Sequence, residues 1–77
     1  MELNDFIKNF AYQFDDTDES EIMAETNFRE LDEWCSMIGL SVLNMIEKKY
    51  GVKLTFDEMK AANTIEELSN IVSRKSA

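Results

Sequence analysis

The groups with the clearest potential for covalent chemistry are two neighbouring side chains, the thiol of Cys35 and the hydroxyl of Ser36. The chain has one cysteine and no histidine, so it cannot form an internal disulfide, and a zinc site is not expected. Neither nucleophile has a histidine to activate it, so no catalytic constellation is predicted. Taken alone, Ser36 reads as an ordinary helix N-cap and Cys35 as a small, partly buried hydrophobe.

A second group of polar residues resembles the start of a calcium-binding loop. Asp16, Asp18 and Ser20 have the alternating oxygen spacing of such loops. Glu21 stands where the loop needs glycine, however, and Asn27 stands where it needs the bidentate glutamate. We therefore predict no metal site.

The distribution of charge limits the classes of partner. The net charge is −8. Residues 1–35 contain eleven acidic residues against Lys8 and Arg29, whereas residues 36–77 contain five against six basic residues. Nucleic-acid binding is not expected, because it requires clustered Lys and Arg. The acidic half favours partners with basic docking surfaces, or it serves solubility alone.

No targeting or membrane segment is predicted. Uninterrupted apolar runs reach only two or three residues, so membrane insertion is not expected. The N-terminus lacks the basic and apolar regions of a signal peptide. A cytoplasmic location is the resulting expectation.

Apolar spacing predicts one helical domain over residues 1–77. Proline is absent and glycine occurs only twice, which disfavours an all-β fold with its many turns. The predicted elements are a helix over 3–14, a long acidic loop over 15–35, a helix over 36–50, a short helix over 55–62, a final helix over 64–74 and a frayed tail over 73–77. This order predicts an all-α bundle of three main helices and one short helix.

Local signals set the boundaries of these helices. The inward stripe of the second helix is Gly39, Val42, Leu43, Ile46 and Tyr50. Gly51 supplies a left-handed stop. Thr55 with Glu58, and Thr64 with Glu67, have the spacing of capping boxes. In the long loop, Phe28 and Leu31 are predicted to anchor the chain to the core, and a loop of this length is typical of a functional segment.

Several of these features together resemble the acyl carrier protein family. Glu33-Trp34-Cys35-Ser36-Met37 is similar to the family's attachment motif, in which a serine is usually preceded by Asp and followed by Leu. Ile46-Glu47-Lys48-Lys49-Tyr50-Gly51-Val52-Lys53-Leu54 resembles its helix end and apolar link, with the aromatic-glycine pair at the family's distance from the serine. Thr64-Ile65-Glu66-Glu67-Leu68 resembles the start of its last helix.

The resemblance implies an acyl-carrier-like four-helix bundle with a 4′-phosphopantetheine arm on Ser36. Such a carrier performs no chemistry itself and holds acyl or aminoacyl intermediates as thioesters, in fatty-acid, polyketide or another specialised biosynthesis. The implied partners are a phosphopantetheinyl transferase and the enzymes that load and transfer acyl groups, and the carrier is expected to be a monomer. The candidate docking residues are Met37, Ser41, Asn44, Lys48, Asp32 and Glu33.

The chain departs from the family pattern at two places. Cys35 replaces the usual Asp, which could help orient the transferase or its metal. The second helix lacks the usual acidic face, which favours a specialised pathway over housekeeping fatty-acid synthesis. The methionines Met23, Met37, Met45 and Met59 could line a pocket for an acyl chain, although core filling is the simpler interpretation.

An alternative function is an unmodified helical interaction module with a carrier-like fold. Such a module would dock its partner through the acidic loop. It shares the predicted bundle with a carrier, and only the chemical state of Ser36 separates the two.

Overall fold

The computed structural model describes residues 1–76, which form four α-helices and two short 3-10 turns. The helices are α1 (Leu3–Ala11), α2 (Ser36–Tyr50), α3 (Phe56–Lys60) and α4 (Ile65–Ser76), and the 3-10 turns are Glu19–Glu21 and Phe28–Glu30. Within these residues there is no strand, only an isolated antiparallel bridge between Asn27 and Thr64. The all-α bundle with a long first loop is therefore confirmed.

The first helix is shorter than predicted. It ends at Ala11, because the amides of Gln13 and Phe14 bond to carbonyls three residues back, at 3.1 and 3.0 Å. Such bonds tighten the last turn out of α-helical geometry. Phe14 is buried nonetheless, so the apolar spacing that predicted a longer helix identified a core residue correctly.

Aromatic side chains from α1 form one side of the core. Phe6 and Phe10 are fully buried, and Phe10 lies with its ring centroid 5.5 Å from that of Phe14 and 5.5 Å from that of Phe28. On the other side, α2 buries Gly39, Val42, Leu43, Met45 and Ile46, and α4 buries Ile65, Leu68 and Val72. The core thus lies between α1, α2 and α4.

The ends of the later helices follow the predicted signals. Gly51 has φ 68°, and its amide bonds to the carbonyl of Glu47 at 3.0 Å, so α2 ends where a left-handed residue is needed. The capping box of Thr55 and Glu58 is formed. In the second box, Thr64 Oγ1 accepts from the amide of Glu67 at 3.1 Å, and the Glu67 carboxylate accepts from the amide of Thr64 at 3.1 Å.

Two helix ends differ from the prediction. α3 stops at Lys60, because the amides of Ala61 and Ala62 again bond three residues back. α4 continues to Ser76, and Lys75 Nζ lies 2.7 Å from a Glu58 carboxylate oxygen and donates to the carbonyl of Lys53 at 3.0 Å. Fraying of the tail stays a prediction, and its last residue, Ala77, lies outside the described residues.

The long first loop is fastened to the start of α4. The amides of Ile65 and Glu66 donate to the carbonyls of Thr26 and Ala24, at 3.3 and 2.9 Å. The Arg29 guanidinium donates to the carbonyl of Ala62 at 2.6 Å and to the side-chain oxygen of Asn63. These bonds hold the second half of the loop in place as it approaches α2.

No helix among residues 1–76 is both long and apolar enough to cross a membrane.

Candidate functional site

Ser36 is the first residue of α2, and its side chain is exposed. The N-cap is Cys35, with φ −156° and ψ 176°, and it makes no side-chain capping bond. The predicted start of this helix at Ser36 is confirmed, whereas the alternative interpretation of Ser36 as an ordinary N-cap is wrong by one residue. The Ser36 hydroxyl makes no hydrogen bond within the described part of the chain, so it is available to another molecule.

The thiol of Cys35 is exposed, so the prediction that it is partly buried was wrong. Its backbone is extended just before α2 begins. An aspartate at this position could cap the helix, because a carboxylate accepts bonds from first-turn amides. With Cys35 there, those amides have no side-chain partner, which leaves the positive end of the α2 dipole uncompensated beside Ser36.

An aromatic cluster fixes the chain just before Ser36. Trp34 lies parallel to Phe10, with an interplanar angle of 4° and ring centroids 6.3 Å apart, and it meets the edge of Phe28 at 5.0 Å. Phe28 is fully buried, whereas Leu31 and Trp34 are half-buried against the core. The predicted anchoring by Phe28 and Leu31 is confirmed, and Trp34 joins it two residues before the serine.

The Glu33 carboxylate joins the end of the long first loop to its beginning, residues 15–17. It accepts hydrogen bonds from the backbone amides of Asp15, Asp16 and Thr17, at 2.7, 3.0 and 2.9 Å. The Thr17 hydroxyl donates a fourth bond at 2.7 Å. This closure joins the end of α1 to the segment before α2. Glu33 therefore has a structural role that sequence reasoning missed, since it listed this residue only among the docking candidates.

The Glu33 closure should make the loop sensitive to acid. Hydrogen bonds from the Thr17 hydroxyl and the Asp15 amide lower the pKa of Glu33 below its ordinary value of 4.5. A carboxyl whose pKa is lowered by folding stabilises the fold above that ordinary value, and this stabilisation is lost as the pH falls through the lowered pKa. We expect Glu33→Gln to reduce the stability of the loop at neutral pH. The variant should also lose less of that stability than wild type does as the pH falls below 4.5.

Amide hydrogen exchange of residues 15–17, measured from neutral to acidic pH, checks this expectation. Asp32→Asn is the matched control, because Asp32 is an exposed neighbour for which no bond to these amides is found. Equal protection of residues 15–17 in wild type and Glu33→Gln would show that the carboxylate does not close the loop.

A cavity of about 300 Å³ opens beside Ser36. Its lining comes from the first loop, the start of α2 and α3: Phe28, Arg29, Trp34, Cys35, Ser36, Phe56, Met59 and Lys60. Gly39 keeps α3 close to α2 here, since a Cβ at this position would lie 3.2 Å from the Phe56 ring and 3.3 Å from Trp34. The absence of a side chain at Gly39 therefore permits the close approach of short α3 and of Trp34.

The face of α2 that leads away from Ser36 is apolar and uncharged in its first half. Met37 is 78% exposed and Leu40 51% exposed, and Phe56 on α3 is 41% exposed. Further along α2, Asn44 and Lys48 are exposed, whereas Ser41 is half-buried. Leu40 and Phe56 are exposed apolar side chains that the sequence analysis did not name among the candidate docking residues.

The four methionines proposed as a pocket do not come together. Met59 lines the cavity beside Ser36, whereas Met45 lines a separate groove between α1 and α2. Met23 and Met37 are exposed. The burial of Met45 and Met59 fits core filling, the simpler of the two interpretations.

The arrangement exposes the Ser36 side chain to solvent. Residues 1–76 contain no group of three or more His, Cys, Asp and Glu side chains that could hold a metal ion. The exposed hydroxyl of Ser36 stands at the start of a long helix, on a chain held by the aromatic cluster and by Glu33. Fold and site together define a small helical bundle with an exposed serine at the start of its second α-helix.

The family comparison agrees with this description. The family model described as "Phosphopantetheine attachment site" matches residues 12–72, which is most of the chain. The protein therefore belongs to the phosphopantetheine-attachment family of carrier proteins, in which a serine carries a covalent 4′-phosphopantetheine. Neither the curated proteins nor the solved structures that were compared gave a match.

Proposed function

We propose that Ser36 carries the 4′-phosphopantetheine arm and that the protein presents acyl or aminoacyl groups on it as thioesters. Within the matched range, the serines are Ser20, Ser36, Ser41 and Ser69. Ser36 alone among them is exposed at the start of an α-helix, and this observation carries the proposal.

The other serines suit the arm less well. Ser69 is buried and donates to the carbonyl of Glu66 at 2.7 Å. Ser41 is half-buried in the interior of α2. Ser20 is exposed, but it lies between Glu19 and Glu21 in a 3-10 turn, where a negatively charged phosphodiester would meet like charge.

The surroundings of Ser36 fit an anionic group that is linked to a flexible arm. A phosphodiester on the Ser36 oxygen would lie near the uncapped amides of α2, a position that favours negative charge by about 0.3–1 kcal/mol. The group, once bound, supplies a thiol for thioester formation. The chain itself contributes position, since Trp34 and Glu33 hold the segment that precedes the serine.

The partners that follow from this function are a phosphopantetheinyl transferase and enzymes that load and transfer acyl groups. The exposed Met37, Asn44 and Lys48 support docking along α2, with Ser41 at its edge. The exposed Asp32 extends this surface into the loop. Both carboxylate oxygens of Glu33 already accept bonds from residues 15–17, so Glu33 would contribute to docking only in addition to these bonds. The carrier works as a substrate-presenting protein and not as an enzyme.

Pathway and location are further parts of this proposal. The face of α2 that begins at Ser36 has no carboxylate before Glu47. It would therefore not attract partner enzymes whose basic surface patches bind an acidic helix. This supports a dedicated biosynthetic pathway with its own partners over housekeeping fatty-acid synthesis. A cytoplasmic, monomeric protein is the simplest setting for such a carrier.

Incubation with coenzyme A and a broad-specificity phosphopantetheinyl transferase tests the assignment. We expect the intact mass of wild type to rise by one phosphopantetheine group, and we expect Ser36→Ala to show no gain, because the attachment oxygen is removed. Ser41→Ala, the matched control in the same helix, should gain the group like wild type.

Two results would contradict the proposal. A gain of the same mass on Ser36→Ala would place the arm on another serine. If wild type gained no mass while a known carrier was converted fully, and this held for transferases of both narrow and broad specificity, the interaction-module alternative would be favoured.

A further inference from the structure

The cavity beside Ser36 has a positive rim and no carboxylate in its lining. Lys60 and Arg29 line it together with Ser36, and the rest of the lining is mainly aromatic or apolar. We propose that Lys60 binds the phosphodiester of the arm, so that the first part of the arm lies over this cavity. The inference rests on the assignment of Ser36 as the attachment site.

Lys60 is the cation of the cavity that is free to take this role. It is exposed at the last residue of α3, and no ion pair or hydrogen bond of its side chain is found within residues 1–76. Arg29, by contrast, already donates to Ala62 and Asn63. These two bonds hold the Arg29 guanidinium against residues 62 and 63, and its charge makes the rim of the cavity more positive.

The acidic residues nearest in sequence to the cavity do not occupy it. Glu33 points its carboxylate to the amides of residues 15–17. On α3, Glu58 is paired with Lys75, and Asp57 is exposed and does not line the cavity. A phosphodiester near Lys60 would therefore meet attraction without a competing carboxylate in the cavity lining.

The wall beside Lys60 suits the branched hydrocarbon that follows the phosphate in phosphopantetheine. Phe56 is 41% exposed and Met59 is buried, and both line the cavity, so its wall here is aromatic and apolar. Trp34, the single tryptophan of the chain, lines the same cavity. Its fluorescence therefore reports on anything that enters.

The test compares apo and holo forms of wild type, Lys60→Gln and Lys49→Gln. Lys49 is the matched control, an exposed lysine at the far end of α2 that does not line this cavity. We expect attachment of the arm to raise Tm and shift Trp34 emission in wild type and Lys49→Gln. In Lys60→Gln the gain in Tm should fall by roughly 2–4 °C, as for a partly exposed ion pair in a domain of this length.

The ³¹P chemical shift of the holo proteins reports the surroundings of the phosphodiester and does not depend on the free energy of unfolding. We expect it to shift on Lys60→Gln and to stay in place on Lys49→Gln. Equal arm-dependent changes in Tm, emission and ³¹P shift across the three proteins would overturn the role of Lys60.

An additional comparison tests whether Lys60 binds the phosphodiester or a carboxylate on the attached acyl group. The proteins are loaded from acetyl- or malonyl-coenzyme A, and the Lys60 effect should already be present with the unacylated and acetylated arms. An effect that appears only with malonyl would overturn the proposal in favour of cargo recognition. Failure of the Ser36 assignment itself would be visible separately, as a missing mass gain before any of these measurements.

Discussion

Phe28→Ala is expected to remove a large part of the protein's free energy of unfolding. Phe28 is fully buried, with ring centroids 5.5 Å from Phe10 and 5.0 Å from Trp34. Removing such a ring costs about 3–5 kcal/mol through lost burial and a residual cavity. A chain of this length has only ~4–12 kcal/mol of total stability, so the loss is a large part of the whole.

Urea denaturation followed by far-UV circular dichroism measures this loss. Phe56→Ala is the matched control, because it removes the same ring from a position that is 41% exposed. We expect a much smaller fall in its urea midpoint. A Phe28→Ala protein with the midpoint of wild type would contradict the role of Phe28 as the anchor of the first loop.

Trp34→Ala is expected to give the second-largest loss in the free energy of unfolding, about 2–3 kcal/mol. Trp34 is half-buried, so it loses less apolar burial than Phe28, but it contacts Phe10, Phe14 and Phe28. Aromatic pairs contribute about 0.5–1.5 kcal/mol beyond their area. Trp34→Phe keeps part of this packing and should lose much less.

Far-UV circular dichroism and amide hydrogen exchange check this prediction, because the alanine variant has no tryptophan fluorescence. We expect faster exchange in residues 31–36 of Trp34→Ala, since the segment before the serine loses its anchor. Unchanged exchange there, with an unchanged urea midpoint, would show that Trp34 does not position Ser36.

Local sequence signals predicted the helix that carries the site. α2 spans residues 36–50 as expected, because its apolar stripe and the glycine at position 51 act within a few residues of each other. Both capping boxes formed for the same reason. Where a helix ended by tightening into bonds three residues back, as at Ala11 and Lys60, the side-chain pattern gave no boundary signal.

Contacts between distant parts of the chain could not be predicted from the sequence. The bonds of Glu33 to residues 15–17 and of Arg29 to Ala62 span long separations, and no periodicity marks either residue. The exposure of Cys35 was also missed, because it depends on the extended backbone just before α2. Sequence thus indicated Ser36 as the candidate, whereas the lining of its cavity, including Lys60, needed the fold.

Mapping the attached group by fragmentation of a tryptic peptide tests the central claim most directly. Cleavage after Arg29 and Lys48 gives a peptide of residues 30–48, which contains both Ser36 and Ser41. After reaction of wild type with coenzyme A and the transferase, fragment ions are predicted to locate one phosphopantetheine on Ser36. The group on Ser41, Ser20 or Ser69, with Ser36 unmodified, would contradict the assignment.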